Sequence, residues 1–258
     1  MYCSEIIDLY LSGIKWEIND VSFVQRDKWA KQVASQQITQ ESQVLATQTA
    51  QPVAQIVPVI APTSSISIDM VKTMAARPYD INALSRMLCE TNHPLKTGAK
   101  NTVVPHIAQN PNGLLIITDI PGTDDDESGK ILSGNVGDLM DKMLWAIGMS
   151  RKEVSILPLV FWRTPGGRTP TRTELDLAKP FVDRFIEFIN PKYILTLGAT
   201  AATEILGVSI SNSHGKQIKK DNITAIPIYH PNYLLLKPSA KRDVWMALQE
   251  LQNLLKNA

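Results

Sequence analysis

At 258 residues the chain has room for one large domain, or for one domain with an appendage. Its hydrophobic fraction of 44% is ordinary for a globular protein, and 26 Lys+Arg against 25 Asp+Glu leave a net charge of +1, so affinity for a polyanion has to come from local basic clusters. Cys3 and Cys89 are too few for a disulfide scaffold and fit a reducing compartment, and no apolar run approaches the ~20 residues of a membrane span.

Residues 4–17, SEIIDLYLSGIKWE, place Ile6, Ile7, Leu9, Tyr10, Leu11 and Ile14 at helical spacing, which predicts a short amphipathic helix that docks on a partner. No basic stretch followed by an uninterrupted apolar core precedes it, so no signal peptide is expected and the cytoplasm is the expected location. Residues 31–67 are rich in Gln, Ser, Thr, Ala and Pro and nearly free of aromatics. Such a segment buries too little apolar area to offset its ordering entropy and reads as a linker. The expected division is an N-terminal helix over 1–25, a low-complexity linker over 26–68 and a folded domain over 69–258.

Within that domain, 80–90 predicts a helix, 101–107 (NTVVPHI) a strand, and the β-branched run 113–120 (GLLIITDI) a buried parallel strand. The acidic TDDDES that follows reads as a solvated loop. Residues 136–149 carry Leu139, Met143 and Ile147 on one helical face, 153–162 form a second buried strand, and a Pro/Gly/Arg loop leads to a helix capped by Thr173. KYILTLG is a third strand, ATAATEILG a helix, NITAIPIYHP a fourth strand ending at His230, and 240–257 a closing amphipathic helix. Strands alternating with helices predict a three-layer αβα sandwich around a four-stranded parallel sheet. Ligands bind such sheets beyond the carboxyl ends of the strands, so the loops after Ile117, Phe161, Leu197 and Tyr229 are the ones to search.

In that order those loops resemble the uracil-DNA glycosylase superfamily, most closely its bacterial family-4 type. TDIPGTDDDESGKILSGNVGDLMDKML (118–144) is similar to the family's Gly-Glu-Ala-Pro-Gly motif with its acidic stretch, spaced glycines and Leu-rich helix. RTPGGRTP (163–170), PKYILTLG (191–198), HPNYLLLKP (230–238) and the following KRDVW match its later motifs. The resemblance covers roughly residues 80–255 and implies a base flipped out of DNA into a pocket, where its glycosidic bond is cleaved. Cleavage builds positive charge on the sugar and negative charge on the leaving base, so a carboxylate and a hydrogen-bond donor would each stabilise one half.

Asp119 stands at the family's Glu position, one methylene shorter, and the resemblance implies that it supplies the carboxylate or positions water; its bland counterpart is a strand-end aspartate that caps the following turn. His230 stands at the family's His and would donate to the developing base anion; its bland counterpart is a histidine satisfied in a Pro-bounded turn. Ile120, Pro121 and Gly122 form a turn whose backbone N–H groups would face the base. Leu132 stands where the family stacks a Phe on uracil and offers no π-face, Pro158 where an Asn amide reads the base edge, and Thr118 replaces the motif's first glycine.

The family's iron–sulfur cluster needs four cysteines; its columns here hold Glu90 or Cys89, His93, Trp162 and Ala178, so no cofactor is expected. Arg163, Arg168, Lys241 and Arg242, with Lys237, are candidate phosphate contacts, Asn232 lies beside them, and Leu235 with Leu234 and Leu236 sits where a wedge into the base stack would belong. The chain is thus expected to be a monomeric hydrolase acting on DNA that contains uracil or another damaged base, with no membrane partner. The competing reading is a glycosylase fold with a decayed pocket that serves as a DNA-binding or interaction module. No Walker or dinucleotide glycine pattern supports a nucleotide-phosphate site.

Overall fold

The computed structural model of the protein describes residues 66–256, so the expected N-terminal helix and nearly all of the linker lie outside the described residues. The described part opens with helices α1 (Ile68–Ala76) and α2 (Ile81–Glu90), capped by the Ser67 and Asp80 side chains. Then come β1 (Leu114–Thr118), α3 (Thr123–Ser128), α4 (Gly134–Ala146), β2 (Ser155–Pro158), α5 (Arg172–Ile189), β3 (Tyr193–Leu197), α6 (Ala199–Leu206) and α7 (Ile210–Ser213). The chain closes with β4 (Ile218–Lys220), β5 (Ile223–Ile228), α8 (Pro231–Leu236) and α9 (Lys241–Lys256).

The sheet order is β2-β1-β3-β5-β4, with β1, β2, β3 and β5 parallel and β4 antiparallel to β5. Side chains alternate across it. Leu114 and Ile116 of β1 join Ile156, Leu195, Leu197, Ile226 and Ile228 under α4 and α9, while Leu115 and Ile117 join Leu157, Ile194 and Ala225 under α1, α2 and α5. Both faces are therefore dry, which is why β1 reads as five consecutive apolar or buried positions rather than an alternating strand. The three-layer αβα sandwich is the architecture expected. No described helix is long and apolar enough to cross a membrane.

Four details correct the sequence reading. The sheet has five strands, because IKK pairs with β5 across the tight Asp221-Asn222 turn; a three-residue edge strand with two exposed lysines carries no apolar signal. Residues 101–107 make only isolated bridges, Val104 to Lys130 and His106 to Ile156, with Pro105 between them lacking the N–H a ladder needs. Helix α5 is capped by Thr171 rather than Thr173: Thr171 Oγ1 accepts from Glu174 N–H while the Glu174 carboxylate accepts from Thr171 N–H. The acidic stretch is a one-turn helix, not a solvated loop. Asp125 accepts from Gly122 and Ser133 N–H, and Asp126 accepts from Lys100 and Asn101 N–H, so both carboxylates are buried fasteners of the surrounding turns.

Candidate active site

After β1 the chain moves out to β2 on one side and returns to β3 on the other, so the topological switch point lies between the carboxyl ends of β1 and β3. Asp119 is the first residue beyond β1 and lies across that crevice. Its Oδ1 accepts from Ala201 N–H at 2.5 Å, the N-terminal turn of α6, and a Cβ on Gly198 would overlap its carboxylate. Gly198 is therefore glycine for two reasons: φ of +97°, ψ of 177° is open to little else, and the aspartate occupies the space a side chain would need. Gly198 N–H in turn donates to Ile228 O at 2.9 Å, which draws in the end of β5.

Two residues past that end, His230 caps α8, its Nδ1 accepting from Asn232 N–H at 3.1 Å. Its Nε2 lies 2.9 Å from Thr118 Oγ1. Thr118, Asp119 and His230 thus converge at one carboxyl edge, with Pro158 directly beside Thr118 in the ladder. A hollow of about 600 Å³ on the α1–α2 surface, lined by Asp69, Met70, Thr73, Met74, Arg77 and Met87, shares none of these residues.

Burial sets the electrostatics of both groups. The Asp119 carboxyl is raised to about 6, chiefly because desolvation penalises its charge, against the Ala201 and Thr200 N–H groups that pull it down. The His230 imidazole is lowered to about 4 by desolvation alone, so it is neutral at pH 7. A carboxyl whose folded pKa exceeds its unfolded value of 3.8 holds its proton more tightly when folded. Its stabilisation is full below about 3.8 and is lost as pH rises through about 6; for His230 the contribution is present above 6.5 and lost as pH falls through about 4. Asp119→Asn removes the buried charge yet keeps an oxygen for Ala201 N–H. It is expected to raise stability at pH 7–8 by on the order of 2–3 kcal/mol, a gain that fades below about pH 4. Denaturant titrations at pH 4 and 8 measure this, and a loss of stability at pH 8 would show that Asp119 is held chiefly by its charge.

The other expected residues fall into three settings. Pro121 is buried, Ile120 half-buried, and Gly122 exposed, but the Gly122 N–H is bonded to Asp125 Oδ2 at 2.9 Å and does not face outward for a ligand; its φ of −78° needs no glycine. Leu132 packs into the core with Leu139, Met140 and Leu234, at a left-handed φ of +50°. Arg151 fastens that turn, donating to the Ile131 and Leu132 carbonyls while pairing with Asp141. Arg168 is bound bidentately to Glu174, at 2.8 and 2.6 Å, and that guanidinium holds the Glu174 carboxyl down at about 2. Arg163 and Lys241 are half-buried, Asn232, Leu235 and Arg242 exposed. Sequence reading missed Asp125, Arg151 and Gly198 as organisers of the site. Only Gly198, the glycine closing an apolar strand before a helix, carries a local signal.

The profile of the Uracil DNA glycosylase superfamily matches residues 105–252. The chain belongs to that superfamily. It is 29% identical over 154 residues to a type-4 uracil-DNA glycosylase of Archaeoglobus fulgidus, covering 56% of this chain and 77% of that one. With the Pyrobaculum aerophilum type-4 uracil-DNA glycosylase it shares 30% identity over 160 residues, 58% and 81% of the two chains. With the Thermotoga maritima type-4 uracil-DNA glycosylase it shares 35% over 126 residues, 47% and 66% of the two chains.

These relatives overturn one expectation. Type-4 uracil-DNA glycosylases are a class that carries an iron–sulfur cluster, so a chain without cofactor does not follow from this kinship. The described residues at the cluster columns nevertheless do not fit a four-thiolate shell. Cys89 is exposed and Ala178 buried. His93 is 1% exposed, stacks on Trp162 at 4.5 Å, and has both ring nitrogens engaged, with the Glu174 carbonyl and Leu95 N–H.

Proposed function

We propose that this member of the uracil DNA glycosylase superfamily is a DNA-repair hydrolase that cleaves the N-glycosidic bond of uracil or a related damaged base flipped out of DNA. The observation that carries this reading is the placement of a half-buried carboxylate and a neutral histidine, Asp119 and His230, at the same carboxyl edge of β1, β3 and β5. The named relatives, type-4 uracil-DNA glycosylases, support the substrate class.

In this mechanism Asp119, ionised above about pH 6, faces the positive charge that grows on the sugar, either directly or through a water it orients. His230 carries its proton on Nε2, because Nδ1 accepts from a backbone N–H, and a neutral N–H donor suits a leaving base that gains negative charge. On the DNA side, Tyr233, Leu235 and Leu236 leave α8 exposed just beyond His230, where an apolar wedge can hold the vacated stack. Phosphate contacts fall to Arg163, Lys241 and Arg242. Lys241 is lowered by its own burial and by the Lys142 charge, a crowding that a phosphate would relieve. Arg168, neutralised by Glu174, serves the loop more than the DNA.

Pro158 favours a second reading, since it adjoins Thr118 without any N–H to read a base edge. The deciding assay is alkali-revealed strand cleavage of oligonucleotides carrying uracil, hypoxanthine, xanthine or a thymine mismatch. Release of at least one base is expected. Salt-dependent DNA binding with no base released from any of the four would make the protein a binding module with a decayed pocket.

A further inference from the structure

The imidazole of His230 is held at both nitrogens by groups of the chain itself. Asn232 N–H donates to Nδ1 at 3.1 Å, and a backbone N–H has no other role open to it. Nδ1 therefore carries no proton, the neutral ring is protonated at Nε2, and the 2.9 Å contact is an N–H bond donated to Thr118 Oγ1. Thr118 is the last residue of β1, flanked in the ladder by Pro158 and Leu197, its carbonyl bonded to Leu159 N–H, and it is 1% exposed. A β-branched side chain on so fixed a backbone has little χ1 freedom, so its hydroxyl is a stationary acceptor. The Asn232 bond alone fixes the tautomer but leaves the ring free to pivot about that single contact. The second bond removes the pivot.

We propose that Thr118 is a positioning residue for His230: its hydroxyl accepts the Nε2–H in the resting site, fixes the ring plane at the carboxyl edge of the sheet, and yields that hydrogen to the leaving base of the proposed reaction. Pro158, the neighbour of Thr118, has no polar side-chain atom, and the described hydrogen bonds give His230 no other partner at Nε2. The orientation of the ring before the base takes over its N–H therefore rests on a single hydroxyl. This inference depends on the base-excision reading for its kinetic consequence, but the geometric consequence stands without it.

The test compares Thr118→Val, which keeps the branched shape and removes the oxygen, with Thr118→Ser, which keeps the oxygen. In the wild-type protein the His230 Nε2 proton is expected as a slowly exchanging signal in proton–nitrogen NMR spectra tuned to imidazole. Thr118→Val should broaden or remove that signal and Thr118→Ser retain it. With an excisable base identified, Val should lower single-turnover excision about tenfold with KM little changed, since misaim of a donor acts in the transition state, and Ser should restore most of it. A protected Nε2 proton in the Val variant, or equal losses in Val and Ser, would overturn the role of the hydroxyl. If no base is excised by the wild type, the activity proposal fails while the proton signal still decides this one.

Discussion

Asp119→Asn is expected to lower base excision by roughly a hundredfold or more, and His230→Ala by a similar order, since each removes an interaction that grows as charge separates across the glycosidic bond. The two effects should differ in pH dependence. Wild-type excision should rise through about pH 6 as the Asp119 carboxyl ionises and then level, because His230, lowered to about 4, is already neutral across that range. The acid limb should vanish in Asp119→Asn, leaving a low, flat profile. Both variants should keep their affinity for DNA, because Arg163, Lys241 and Arg242 lie outside the pair. Single-turnover excision from pH 5 to 9, with binding measured in parallel, checks this. An Asp119→Asn enzyme within threefold of wild type would remove the carboxylate from the mechanism and leave it a cap on α6. This variant is also the one expected to gain stability at neutral pH, so lost activity could not be ascribed to unfolding.

Gly198→Ala is expected to damage fold and site together. At φ +97° any side chain strains the backbone, and the added Cβ would overlap the Asp119 carboxylate. The combined cost should be roughly 2–4 kcal/mol, which for a domain of this size lowers Tm by about 5–10 °C. Excision should fall as well, because the aspartate has to leave its bond to Ala201 N–H. A double-mutant cycle separates the causes: with Asp119→Ala in the background the overlap is gone and only backbone strain remains, so the two substitutions should be less than additive. Strict additivity would show that Gly198 matters for its φ alone.

The strands β1, β3 and β5 and the helices α2, α4, α5, α6 and α9 were legible from apolar runs and helical spacing, because elements buried on one or both faces write their packing into the chain. The strand-end positions of Asp119 and His230 were legible for the same reason: in a parallel sheet the residue after an apolar run is at the carboxyl edge. What local pattern could not carry was anything made between distant segments. β4 exists because β5 offers it an edge, not because IKK favours a strand. Two carboxylates of the acidic turn are buried because Lys100, Asn101 and Ser133 bring N–H groups to Asp125 and Asp126. Arg168 looked like a phosphate contact until Glu174, six residues on, closed a bidentate pair with it. The partner of His230 Nε2 is Thr118, 112 residues away in sequence. By itself the sequence determined the layered α/β framework, its strand ends and its family; the tertiary structure decided which polar groups are already satisfied. Hydrogen bonds and burial depend on who arrives from elsewhere in the chain, whereas hydrophobic periodicity is a property of each segment alone.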